Sequence, residues 1–279
     1  RSTFFGFSQF IAGIFAALIG YYISTKISSN FEIGSLDFMP IFVIGAVILL
    51  PSIFIFPFLR IKAKGFIRKR DELKAHKILI HDKNFRNLLF VQVLISFSAL
   101  GYPFYMLYIL DLNPVFAGNV GLLTFVSICG TVLGGVVWGS TSLLYGNKKT
   151  IQGVAIANLS IPIMFLFISS GSAANIQLVI AALSFLLLGM VIGGWLGFVN
   201  YIMEITDDIT RPRYLFMYNL TMIITSVVPF IGSLIKNNFG MNILCIIISA
   251  LMIVGLFGTR YIIEPRDSHN PVRIPSSKI

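Results

Sequence analysis

The sequence predicts an all-α membrane protein with eight transmembrane helices, and three observations carry that expectation. Hydrophobic residues make up 56% of the 279 residues and charged residues 11%, whereas a soluble domain carries about a quarter charged residues. The apolar residues gather into runs of about 20, the length that crosses a hydrocarbon core ~30 Å thick. These runs are apolar on every side, unlike the alternating strands of about ten residues that build barrels. Finally, of the 21 lysines and arginines, all except Lys26 and Lys236 fall on one side of the alternation of runs and loops, which places that side in the cytoplasm.

The elements follow in order. The first run, 4–24, is too long for the apolar part of a secretory signal and has no small-residue cleavage site before TKISSNFE, so it reads as a span. A second span, 38–59, leads into RIKAKGFIRKRDELKAHKILIHDKNFR (60–86), a basic segment with interleaved apolar residues. That pattern suits an amphipathic helix lying on an anionic inner leaflet. The later spans are 85–110, 115–138, 150–170, 174–200, 214–235 and 240–263. NPVFAGN, SSGSAAN and KNNFG, rich in turn formers, separate three pairs of them. Four regions result: 1–59 with two spans, a central loop at 60–84, a six-span unit at 85–263 and a tail at 264–279. Both termini and the central loop are expected on the cytoplasmic side of the plasma membrane.

Several chemistries are excluded at this level. The net charge of +10 does not point to nucleic acid, because there is little polar surface on which to spread it. His76, His81 and His269 fall in loops or the tail, so no HExxH metal site can form on a helix, and no Ser/His/Asp set assembles at membrane depth. No catalytic residue, metal or cofactor is expected. Cys129 and Cys245 stand alone in apolar runs and read as small buried hydrophobes. The spans carry essentially no charge, and an ionised group at mid-membrane costs about 2.5 to 3.5 kcal/mol on insertion scales. A neutral or amphipathic small-molecule partner is favoured.

Uncharged polar residues do recur at helical spacing. Gln92, Ser96, Ala99 and Pro103 fall on one stripe; so do Gly121, Thr124, Ser127, Thr131 and Gly135, and also Tyr218, Thr221, Thr225 and Pro229. Such residues pack membrane helices or line a cavity, and packing is the commoner use. Gln92, Ser96, Thr124, Ser127, Thr221 and Thr225 are the candidate cavity-lining set. In ALGYPFYMLY (99–108), Gly101 and Pro103 should break the backbone ladder. Gly101, Tyr102, Pro103 and Tyr105 are therefore a candidate outer gate, with an aromatic interface belt as the plainer reading. GMVIGGWLG (189–197) and GTVLGG (130–135) carry the spacing that lets helices approach closely, and Trp195 reads as an interface anchor.

The start of the chain has an echo further on. RSTFFGFSQ (1–9) aligns with RPRYLFMYN (211–219), pairing Arg1 with Arg211, Phe4 with Tyr214 and Gln9 with Asn219. Each copy opens a pair of spans that closes a unit. Parallel six-helix halves joined by a long cytoplasmic loop are one of the repeat architectures of secondary transporters. On these features the chain resembles the major facilitator superfamily over nearly its whole length, taken as helices 5 to 12 of twelve. DKNFRNLLFVQVL (82–94) is similar to the family's approach to helix 7, and RPRYLFMYN to its approach to helix 11. GSTSLLYGNKK (139–149) stands where the family often repeats its GxxxDRxGRR motif between helices 8 and 9. Gly139, Gly146, Lys148 and Lys149 match, but Leu143 and Leu144 replace the Asp and Arg, so the family's charge lock is not implied for this half. GIFAALIGYY (13–22) lacks the proline and final glycines of the helix 5 antiporter motif, which leaves uptake or efflux open.

The resemblance implies a partial fold, with two helices of an N-terminal half and a complete six-helix C-terminal half, and four further spans before Arg1. It implies secondary transport of a small solute by alternating access, with helices like 7, 8 and 11 lining the cavity and Gln9 facing Asn219 between the halves. Coupling to a proton or sodium ion stays open. The alternative is a non-transporting polytopic scaffold, or a channel of unrelated fold.

Overall fold

A computed structural model describes residues 82–112, 119–168 and 173–266, together with Leu50. The expected spans 4–24 and 38–59, Gln9 with its copy of the repeat, the central loop before Asp82 and the tail beyond Arg266 lie outside the described residues.

Among the described residues the chain is helical throughout, and six helices are long and apolar enough to cross a membrane. The first span is α1 (Lys83–Ser96), a 3-10 stretch (Phe97–Leu100) and α2 (Tyr102–Leu112). Then come α3 (Val120–Tyr145), α4 (Asn147–Ile168), the pair α5 (Ala174–Gly194) and α6 (Leu196–Ile205), α7 (Arg211–Phe239) and α8 (Met241–Gly258). A 3-10 turn, Thr259–Tyr261, closes the last span. The six spans expected in 85–263 are therefore present.

Their limits differ in one place that matters. Residues 139–149 are not a loop. The Ser140 and Thr141 hydroxyls donate to the carbonyls of Val136 and Val137, one turn back, so these polar residues are satisfied by the helix they were expected to end. α3 runs on through Gly139, Leu143 and Leu144 to Tyr145, and the whole reversal falls on Gly146, at φ 88° and ψ 168°. That conformation suits a residue without a Cβ. Lys148 and Lys149 consequently sit in the first turn of α4.

The first span and α4 are the most buried of the six. α3 lies along α5 at close range: a Cβ on Gly130 or Gly134 would strike the carbonyls of Leu186 or Met190, and one on Gly189 the carbonyl of Ser127. The glycine runs thus act as packing surfaces. The Trp138 indole donates to the Met190 carbonyl at 2.7 Å, just before the break between α5 and α6. Trp195 occupies that break and stacks on Phe198, with ring centroids 5.5 Å apart.

Two apolar clusters fill the interior. One holds Leu88, Ile95, Phe198, Ile202 and Tyr214, running from the N-terminal end of α1 along its length. The other holds Tyr105, Phe165, Phe185, Cys245 and Ile248 toward the opposite end. Cys245 is buried as expected, while Cys129 is only half-buried.

A candidate solute site between α1 and α7

Three sets of polar side chains lie between the spans, and hydrogen-bond accounting together with depth in the span separates them. A buried donor or acceptor left unpaired costs about 1 to 3 kcal/mol, so paired sets read as structure and an unpaired group asks for a partner.

The first set ties helix ends together. Asp82 accepts from the Phe85 amide, capping α1, and its other oxygen accepts from the Tyr214 hydroxyl at 2.9 Å. Asn84 donates to Tyr201 at 2.7 Å and accepts from the Ile263 amide at 3.0 Å, while the Tyr201 hydroxyl donates to the Ile263 carbonyl. Glu264 accepts from the Lys148 amide at 2.9 Å, and Arg266 donates to Glu204 and to the Leu143 carbonyl, both at 3.0 Å. Residues 263–266, where the expected tail begins, are therefore docked on the ends of α1, α3, α4 and α6; Glu264 Oε1, Glu204 Oε2 and Arg211 Nε are also buried without a hydrogen-bond partner, but these belong to charged groups near helix ends. Burial raises the Glu264 carboxyl above its ordinary 4.5; the Lys148 amide acts the other way.

The second set joins the first span to α4. The Tyr102 hydroxyl donates to Asn158 Oδ1 at 2.9 Å and lies 2.8 Å from the Ser98 hydroxyl, while Asn158 Nδ2 donates to the Val154 carbonyl at 3.3 Å. Asn158 has no exposed surface, and both ends of its carboxamide are paired. Tyr105 is likewise turned inward, stacked on Phe165 with centroids 4.2 Å apart. Of the four candidate gate residues, Tyr102 and Tyr105 thus anchor the first span to α4. Gly101 marks the break: the 3-10 stretch ends there, and its carbonyl accepts from the Phe104 and Tyr105 amides. Pro103 is exposed beside it.

The third set joins α1 to α7. Gln92 has no exposed surface, and its Oε1 accepts from the Thr221 hydroxyl at 2.9 Å. Gln92 lies nine residues into α1 and Thr221 ten into α7, so each is about 14 to 15 Å from its helix start at 1.5 Å per residue. That is about half of a ~30 Å core. Gln92 Nε2 is buried without a hydrogen-bond partner. Tyr218, one turn before Thr221, is 5% exposed, and its hydroxyl makes no hydrogen bond among the described residues. Every Lys, Arg, Asp and Glu among the described residues lies near a helix end, as Asp111 and Lys236 do in their 3.7 Å pair. The middle of this seam therefore has hydrogen-bonding capacity and no charge.

The other candidate residues separate from this seam. The Ser96 hydroxyl donates to the backbone of Gln92 at 2.8 Å, and Thr225 meets the Met222 sulfur at 4.0 Å. Thr124 is exposed and bonded to the Val120 carbonyl, while Ser127 lies where α3 meets Gly189. The α3 stripe thus serves packing along much of its length. Asn219 is exposed on α7. Asn158, Tyr201, Glu264 and Trp138 were not singled out from the sequence; a carboxamide at mid-span is the signal that would have found Asn158.

The backbone beside the seam is irregular on both sides. Pro229 lies inside α7 and leaves a carbonyl one turn back without its helical donor. Three residues later, Gly232 abuts the Leu100 carbonyl so closely that a Cβ would collide with it. The break in the first span is therefore packed against α7 about one turn beyond its proline. No family model matches the chain, and no curated protein matches it.

Proposed function

We propose that the chain is part of a secondary transporter of the major facilitator type, which moves a small uncharged solute across the plasma membrane by alternating access. The observation that carries this reading is Gln92, whose carboxamide is half unpaired at mid-depth between two spans with broken backbone ladders. A helix whose ladder is already interrupted bends at low cost. Irregular backbone at membrane depth is tolerated where it is packed against protein or lines a cavity. In this reading the stretch 97–101 and Pro229 are the flexing points, with Pro103 on the exposed side of the first. Tyr102 and Tyr105 hold the outer half of the first span to α4 as one body. The basic helix ends face the cytoplasm and its anionic leaflet, with both termini on that side.

The test is counterflow in liposomes containing the full-length protein, loaded with an unlabelled solute and diluted into the labelled one. A transporter gives saturable uptake that overshoots its final level and responds to an imposed proton or sodium gradient if coupled. Uptake that rises linearly with concentration and never overshoots would establish a channel. No protein-dependent flux for any solute would leave a scaffold.

A further inference from the structure

The unpaired end of Gln92 says more about what the site takes. Thr221 has one hydroxyl hydrogen and two acceptors within reach, Gln92 Oε1 at 2.9 Å and the Tyr218 carbonyl at 2.7 Å. If the hydrogen goes to Gln92, both N–H groups of Nε2 are left without a protein partner. Turning the carboxamide by half a rotation lets Nε2 donate to Thr221 Oγ1 while the hydroxyl serves the Tyr218 carbonyl, but Oε1 is then the orphan. Neither arrangement satisfies both ends. Asn158, equally buried, is satisfied at both. Interhelical adhesion alone would need only a threonine or serine here, without the cost of an orphaned amide.

We propose that Gln92 and Tyr218, with Thr221 between them, form a recognition site for an uncharged solute bearing a hydroxyl or amide group, which supplies the missing hydrogen bonds. A hydroxyl or amide can both give and accept, and so matches an end of Gln92 in either orientation together with the Tyr218 hydroxyl. An ionic group is the wrong partner. Gln92, Thr221 and Tyr218 carry no charge, and the described charged side chains stand near helix ends, so an ion would be desolvated without a counterion. This assignment rests on the transporter reading and names the substrate class of that same site.

The experiment uses the full-length protein in liposomes and three radiolabelled probe sets: uncharged polyols and amides (glycerol, xylose, nicotinamide), the anion lactate, and the cation tetraphenylphosphonium. Saturable counterflow of an uncharged probe is expected. Gln92→Leu should then raise its KM about tenfold, the worth of one lost hydrogen bond to a buried group, with kcat changed less. Tyr218→Phe should raise KM severalfold. Thermal unfolding of Gln92→Leu in detergent should be no lower than that of the parent, which separates loss of recognition from loss of fold. Saturable counterflow of lactate or tetraphenylphosphonium alone would overturn the substrate class and leave the transporter reading standing. An unchanged KM in both variants would overturn the site. Absence of counterflow for every probe would remove the transporter reading and this assignment with it.

Discussion

Asn158 and Gln92 are both carboxamides with no exposed surface near the middle of a span, and their surroundings assign them opposite roles. Asn158 bonds Tyr102 and the Val154 carbonyl, so Asn158→Leu removes both bonds and leaves the Tyr102 hydroxyl with Ser98 alone. We expect a loss of about 1 to 3 kcal/mol, read as a lower unfolding temperature in detergent. Gln92→Leu should show no such loss, because an unpaired amide leaves with the side chain. Equal destabilisation by the two substitutions would show that Gln92 is a structural residue after all. The sequence marks Gln92 through its stripe with Ser96 and Pro103, but periodicity reports a face and not a partner. Whether a buried polar group is satisfied depends on a residue from a distant helix, here Thr221, and no local pattern holds that information. The same limit applies at Tyr102 and Tyr105: the sequence offers them as a gate or an interface belt and holds no sign that Asn158 and Phe165 face them.

At the level of elements, the six described spans were legible because length and apolarity are properties of a continuous segment. The break at 97–101 was legible from Gly101 and Pro103. The corner between α3 and α4 was not, since GSTSLLYGN has the composition of a turn. Its serine and threonine hydroxyls instead bond within α3, and Ser142 reaches Asn147 Oδ1 at 2.6 Å, so a single glycine makes the corner. Gly146→Ala is therefore expected to be costly out of proportion to one methyl group. It would force a Cβ into a positive-φ conformation and against the Glu264 carboxyl. Strain of this kind is worth about 1 to 3 kcal/mol, and thermal unfolding of the variant should fall accordingly, whereas Gly139→Ala, which meets open space, should be neutral. If both behave alike, the corner is not where the structure places it.

Across the whole molecule, the helix ends that carry most of the described basic residues are held together by the network around Asn84, Tyr201 and residues 263–266. Charge asymmetry in the sequence expects these ends on one side; the docking of residues 263–266 was hidden, because the sequence reads Glu264 and Arg266 only as the start of a tail. That docking has a pH dependence. Folding raises the Glu264 carboxyl above 4.5, so the docked state binds a proton more readily than the free tail. Its contribution to stability is full below the free value and is lost as pH rises through the raised one. Glu204 and Arg266 face Glu264 with opposite effects, and the Lys148 amide favours the ionised form, so the dependence should be modest. Amide exchange at Ile263, corrected for intrinsic rates, should show more protection near pH 5 than near pH 8, and Glu264→Gln should flatten the profile. Greater protection at the higher pH would reverse the sign and refute the assignment.

The proposed transport requires the seam between α1 and α7 to open alternately to the two sides of the membrane. It is tested most directly by a single cysteine at Thr221 in full-length protein whose other cysteines have been replaced. Membrane-impermeant maleimide is applied to right-side-out and inside-out vesicles. Labelling from both sides is expected, with a transported solute raising the rate from one side and lowering it from the other. Labelling from neither side, or from one side only with or without solute, would contradict it.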